Sequence, residues 1–170
     1  MASNLPPLKR RSIRLPHYDY SQQGVYFVTI CTQQREMHFD DSTIKQIAET
    51  CWLEIPLHFP GVGLDEWVIM PNHIHGVLIL PETPPTEKRI SINRFAEISP
   101  RAKTLSVVIR TYKGAVTSGC RRTKNLEFAW QRNYYERVVR TEKELNQIRH
   151  YILENPEDWL KDEENPKRLL

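Results

Sequence analysis

Three stretches of the chain alternate or concentrate apolar residues at strand spacing, and three others repeat them at helix spacing. Gly24-Val-Tyr-Phe-Val-Thr-Ile-Cys-Thr32 is dense in β-branched and aromatic residues and predicts a strand. Leu64 to Met70 and His73 to Leu80 predict two more, with Pro71-Asn72 between them as turn chemistry, so the two form a hairpin. Asp41-Ser-Thr43 caps a predicted helix that runs through about Leu57, with Ile44, Ile47, Ala48, Cys51 and Trp52 on one stripe. A second helix is predicted over Thr104 to about Arg122, interrupted or ended near Gly119, with Leu105, Val108, Ile109 and Tyr112 on its apolar face. The run from Phe128 to Val139 is strand-like at its start and ambiguous after that. Thr141-Glu-Lys-Glu144 is a capping box that starts a third helix, which reaches about Asn155 before Pro156 closes it.

The resulting order is β-α-β-β-α-β-α. Its first six elements predict an α+β, ferredoxin-like split β-α-β sandwich, an antiparallel sheet with helices on one face and an extra C-terminal helix. Length supports one domain with a full core, since 170 residues suffice for it. We read residues 1–16 as a flexible basic arm, 17–160 as the folded domain and 161–170 as an acidic and polar tail. Residues 81–100 hold four prolines and predict a long loop.

Composition narrows the setting. The segment MASNLPPLKRRS lacks the apolar core of a secretory signal, and the chain has no run of eighteen or so apolar residues. The expectation is a cytoplasmic, nucleoid-associated protein with no membrane partner. Cys31, Cys51 and Cys120 form no CxxC pair, which points away from a zinc ribbon or a disulfide framework. The net charge is only +3, but it is segregated. Lys9, Arg10, Arg11 and Arg14 cluster near one end, and no acidic residue occurs between Ile98 and Leu126, where Lys113, Arg121 and Arg122 lie. Such a field suits a polyanionic partner, most simply nucleic acid. A solvated helix face explains the same charges equally well.

Two groups of residues carry candidate chemistry. In MPNHIHGV, His73 and His75 are two apart on a strand, so both point to one face while Ile74 enters the core. Two imidazoles so placed can share one ion; two histidines on a wetted strand face would look the same. Gly76 and the preceding turn suggest a place where something approaches the backbone closely. In the third helix, Tyr151 flanks the Leu145, Ile148 and Ile152 stripe, and Asn155 follows one turn later on the same face. A phenol can act as a covalent nucleophile and a carboxamide oxygen can complete a site of hard ligands. A boundary aromatic and a helix-terminal asparagine are the plain alternative. Tyr134 and Tyr135 are rival phenols, ranked lower because they precede the capped helix beside Arg132.

MPNHIHGV, together with RSIRLPHYDYSQQGVYFVTICTQ upstream and WQRNYYERVVRTEKELNQIRHYILENP downstream, resembles the REP-associated tyrosine transposases, a branch of the single-tyrosine HUH transposases. The likeness spans roughly residues 10–160, with three separated segments in the family's order. It implies His73 and His75 as metal ligands, Tyr151 as nucleophile, Asn155 as third ligand and Mg²⁺ or Mn²⁺ as cofactor. It implies a single-stranded or hairpin DNA substrate of palindromic, REP-like sequence, cut and rejoined through a 5′-phosphotyrosine link by a monomer or homodimer. Arg10, Arg11, Arg14, Lys113, Arg121, Arg122 and Arg132 are the expected DNA contacts, with Lys113, Arg121 and Arg122 along the path to the site. Arg149 and the ion are expected to ease ionisation of Tyr151. A hairpin-binding protein with a spent site and a metal-dependent phosphoesterase using water are the competing readings.

Overall fold

A computed structural model describes residues 23–82, 104–123, 127–162 and 165; the basic segment with Arg10, Arg11 and Arg14 and most of the proline-rich 81–100 stretch lie outside them. Four strands form one sheet: β1 (Gly24–Cys31), β2 (Gly63–Met70), β3 (His73–Leu80) and β4 (Tyr135–Val139). Their order is β2-β3-β1-β4, and each neighbouring pair is antiparallel. The split β-α-β order predicts this placement, because β3 inserts between β1 and β2. The sheet carries helices α1 (Ser42–Leu53), α2 (Ile55–His58), α3 (Leu105–Arg122) and α4 (Glu142–Glu154).

Strand alternation sorts the helices into two layers. Tyr26, Val28 and Ile30 of β1 and Ile74 and Leu78 of β3 face α1 and α3, where they pack with Ile44, Trp52, Leu105, Ile109 and Val116. Phe27, Val77 and Val139 point the other way and meet Leu145, Ile148 and Ile152 of α4. Each of these α4 side chains contributes about 1.5–3 kcal/mol by burial, so the helix is held to the sheet chiefly by that stripe. β1 and β3 are therefore covered on both faces, which explains why β1 reads as a nearly continuous apolar run.

Three boundaries differ from the sequence expectation. The first predicted helix breaks at Glu54 instead of running to Leu57. Pro56 cannot donate its backbone hydrogen bond and clashes with the preceding turn, so a short separate helix begins at Ile55. Gly119 does not interrupt α3. A Cβ there would stand 2.6 Å from Cγ2 of Ile47, so the glycine lets α1 and α3 cross closely. The Phe128 to Val139 run becomes a strand only at Tyr135; Trp130 before it makes one isolated bridge to Thr32.

The N-caps of α1 and α4 follow the sequence. The Asp41 carboxylate accepts from the Thr43 and Ile44 amides. Thr141 Oγ1 accepts from the Glu144 amide, while Glu144 reaches back to the Arg140 amide.

Candidate active site

The two-residue turn Pro71-Asn72 closes the hairpin and opens β3 on His73. Alternation then sends His73 and His75 to the α4 face, beneath the C-terminal half of that helix. Their Nε2 atoms stand 2.9 Å apart. Tyr151, on α4, brings its hydroxyl to 3.1 Å from His75 Nε2 and sets its ring against His75 at 5.2 Å. Phe27 floors the cluster: it stacks on His75 at 5.4 Å and meets Tyr151 edge-on at 6.1 Å.

Both imidazoles are almost wholly buried, at 0 % exposure for His73 and 2 % for His75. Burial disfavours their charged forms. It pushes His73 down to about 3, with the nearby Arg35 charge acting in the same direction. His75 is also held well below its ordinary value, first by burial and then by His73, with Asp162 opposing. Neutral imidazoles are the form that binds metal.

A third candidate ligand comes from beyond α4. After a short 3₁₀ turn, Trp159–Lys161, the chain places Asp162 with Oδ2 4.0 Å from His73 Nε2. Trp159 lies over His73 at 5.9 Å between ring centroids. The ligand atoms of His73, His75 and Asp162 all lie within 4.8 Å of one another. Asn155, one turn after Tyr151, is buried at 4 % exposure, and its Oδ1 has no hydrogen-bond partner among the described residues. His73, His75 and Asp162 are spaced to fit a divalent ion. Two donor atoms at right angles, each about 2.1 Å from one ion, stand about 3.0 Å apart. The two Nε2 atoms match that spacing, and the orphaned carboxamide oxygen and the carboxylate are hard ligands.

Several expected residues fall elsewhere. Gly76 does mark a close approach, but on the opposite face of β3: a Cβ there would stand 2.3 Å from Cζ2 of Trp52, so the glycine admits core packing and not a ligand. Arg149 is committed to β2, with Nε and Nη2 on the two Asp65 carboxylate oxygens at 2.8 and 2.7 Å, and with Nη1 on Glu142 and Asn146. It anchors α4 and leaves Tyr151 to the imidazoles. Lys113 Nζ donates to the carbonyls of Gln131 and Arg132, and burial lowers its pKa. Arg121 and Arg122 end α3, whose apolar face packs on the side of the sheet opposite Tyr151. Arg132 is exposed in the bend before β4. Tyr134 packs with the α1 and α3 core, while Tyr135 shares the α4 face but is held protonated by burial, with Arg137 opposing.

Three residues of the cluster carried little signal in the sequence. Asp162 sits in what reads as an acidic tail. Thr29, whose Oγ1 is 2.8 Å from His75 Nδ1, is one strand residue among many until β1 and β3 are paired. Asn72, 2.9 Å from His73 Nδ1, reads as a turn former.

A four-stranded antiparallel sheet with helices on both faces, carrying a paired-histidine and tyrosine cluster, is thus the class of structure defined. It is the fold of a REP-associated tyrosine transposase solved bound to a REP hairpin, which aligns with a TM-score of 0.63 at 21% identity over 84% of this chain and 72% of that one. A putative transposase from Deinococcus radiodurans aligns more weakly, with a TM-score of 0.43 at 18% identity. No family model matches the chain. A Haemophilus influenzae protein described only as uncharacterized is 38% identical over 165 residues, spanning 91% of this chain and 92% of its own, and the chain belongs to the same family as that protein.

Proposed function

We propose that the protein is a metal-dependent, single-stranded DNA endonuclease and strand transferase, a transposase of the HUH type, that acts on palindromic hairpin DNA through a covalent 5′-phosphotyrosine. The observation that carries this reading is the convergence of Tyr151 Oη on His75 Nε2 at 3.1 Å, beside the 2.9 Å pair of Nε2 atoms. A phenol poised on a pair of neutral, buried imidazoles is a nucleophile next to a cation site. The solved transposase with this fold binds a REP hairpin, which supports hairpin DNA as the substrate class.

His73, His75 and Asp162 would hold Mg²⁺ or Mn²⁺, with Asn155 Oδ1 as a further ligand. When bound, the ion polarises the scissile phosphate and favours the phenolate of Tyr151. Tyr151 Oη attacks phosphorus. The P–O3′ bond breaks, and the upstream nucleotide leaves as a 3′-hydroxyl, taking up a proton. One phosphodiester is exchanged for another, so a 3′-hydroxyl attacking the phosphotyrosine restores a DNA linkage without ATP. Phe27 and the α4 stripe keep water from one side of the cluster and hold the phenol in place.

The test is a denaturing gel of the protein with end-labelled, single-stranded palindromic oligonucleotides, in Mn²⁺ or in EDTA. The expected result is a protease-sensitive shifted band that requires the metal and is lost in Tyr151→Phe. Metal-dependent cleavage that survives Tyr151→Phe would replace this reading with hydrolysis by water. Tight hairpin binding without cleavage would replace it with a binding protein.

A further inference from the structure

The two imidazoles are held differently on the side away from Tyr151. His75 Nδ1 meets the Thr29 hydroxyl at 2.8 Å. A hydroxyl both donates and accepts, so Thr29 suits either tautomer of His75. His73 Nδ1 meets Asn72 Oδ1 at 2.9 Å. The orientation of that carboxamide is set, because its Nδ2 donates to the Arg35 carbonyl at 3.2 Å, and a carbonyl only accepts. Oδ1 therefore faces the ring, and an amide oxygen only accepts. The proton must lie on His73 Nδ1, and the lone pair on Nε2 then points into the cluster.

The Asn72 backbone is fixed too. Its carbonyl accepts from the Thr32 amide at 2.9 Å, and Phe39 donates to the neighbouring Pro71 carbonyl at 3.0 Å. Asn72 and His73 are both fully buried, so no water competes for these bonds. The acceptor that orients Asn72 comes from an unusual turn. Gln34 and Arg35 have φ of 53° and 58°, in the left-handed region that non-glycine residues rarely enter. Two such residues in a row cost free energy, which the surrounding bonds must offset. The Arg35 amide bonds Thr32 O, and the Gln33 amide bonds Ala129 O.

We propose that Asn72 is a positioning residue that locks His73 as the Nδ1–H tautomer and aims its Nε2 lone pair at the ion site, with the Gln33–Arg35 turn holding Asn72 in register. His73 is then the fixed ligand and His75 the adaptable one, free to exchange partners among Thr29, Tyr151 and an ion. The metal-binding half of this proposal rests on the function proposed above; the tautomer half stands on the hydrogen bonds alone.

Two measurements separate the halves. Nitrogen-15 correlation spectra of the histidine rings in the full-length, metal-free protein report the tautomer directly. His73 is expected as Nδ1–H in the wild type, and an Nε2–H ring overturns the proposal with no variant needed. Mn²⁺ binding followed by electron paramagnetic resonance reports ligand quality without DNA or activity. Asn72→Leu is expected to mix the His73 tautomers and weaken Mn²⁺ binding about 10- to 100-fold. Asn72→Asp retains an acceptor opposite Nδ1 and is expected to keep the Nδ1–H tautomer and to bind Mn²⁺ far better than Asn72→Leu. A folded Asn72→Leu protein with unchanged tautomer and unchanged Mn²⁺ affinity refutes the role. Absence of Mn²⁺ binding by the wild type would instead overturn the metal reading, leaving the ring spectra to judge Asn72.

Discussion

Single residues in this protein gain meaning from what the sheet puts behind them. Gly76 lies between two structural demands: its neighbours His75 and Val77 face α4, while its own α-carbon faces the Trp52 indole. A side chain there meets aromatic carbon anchored in the core, with no flexible end to yield. Gly76→Ala is expected to destabilise the fold by about 3 kcal/mol, at the upper end of overpacking costs, as read from urea unfolding. A cost near zero would mean that Trp52 moves freely and that the packing of α1 on this face of β3 is loose. The glycine in MPNHIHGV was legible as a close-approach position. Which face the approach came from was not, since that depends on which helix covers which side.

At the scale of elements, α4 carries the phenol, and its seat is defined by a stripe and a clamp. Leu145, Ile148 and Ile152 bind it to the sheet, and Arg149 grips Asp65 of β2 with two parallel hydrogen bonds. The Arg149 hydrogen bonds hold the Asp65 carboxyl below its usual value of 3.8, against the opposing effect of its partial burial. A carboxylate depressed on folding stabilises the fold above its unfolded pKa, and that contribution fades as pH falls through the folded value. The stability gap between wild type and Asp65→Asn is therefore expected to be constant above about pH 5 and to shrink as pH drops through 4 and below. Urea midpoints across that range check it; a gap that widens in acid would place the clamp's energy elsewhere. The stripe and the Thr141 cap were legible from spacing and the capping box. The expectation that Arg149 eases ionisation of Tyr151 fails because the two are two positions apart: at about 100° per residue they project to nearly opposite sides of the helix, and Arg149 is delivered to β2.

For the whole molecule, the antiparallel order β2-β3-β1-β4 divides the work between the two faces of one sheet. α1 and α3 supply the larger core, and α4 closes the smaller core and the cluster. Among the described residues no helix is long and apolar enough to cross a membrane. The basic residues of α3 belong to the helix layer on the face of the sheet away from Tyr151. The arm with Arg10, Arg11 and Arg14 is the other proposed contact. Replacing its three arginines by alanine is expected to lower the slope of log binding constant against log salt by about 2 to 3, if each neutralises one phosphate. Filter binding to a palindromic hairpin across a salt series measures it, and an unchanged slope removes the arm from the interface.

Period alone determined much of this protein. Alternating and helical spacings foretold the element order, the hairpin, the face shared by His73 and His75, and the turn shared by Tyr151 and Asn155, because backbone geometry makes those relations local. The tertiary structure decided what period cannot encode. It brought Tyr151 across 76 positions to His75, set Thr29 opposite it by strand register, and returned the chain past α4 to lay Asp162 beside His73. It also turned Asn72 from a turn former into a hydrogen-bonded support. These contacts depend on which strands pair and which face each helix covers, and those choices are made by the burial of side chains far apart in the sequence.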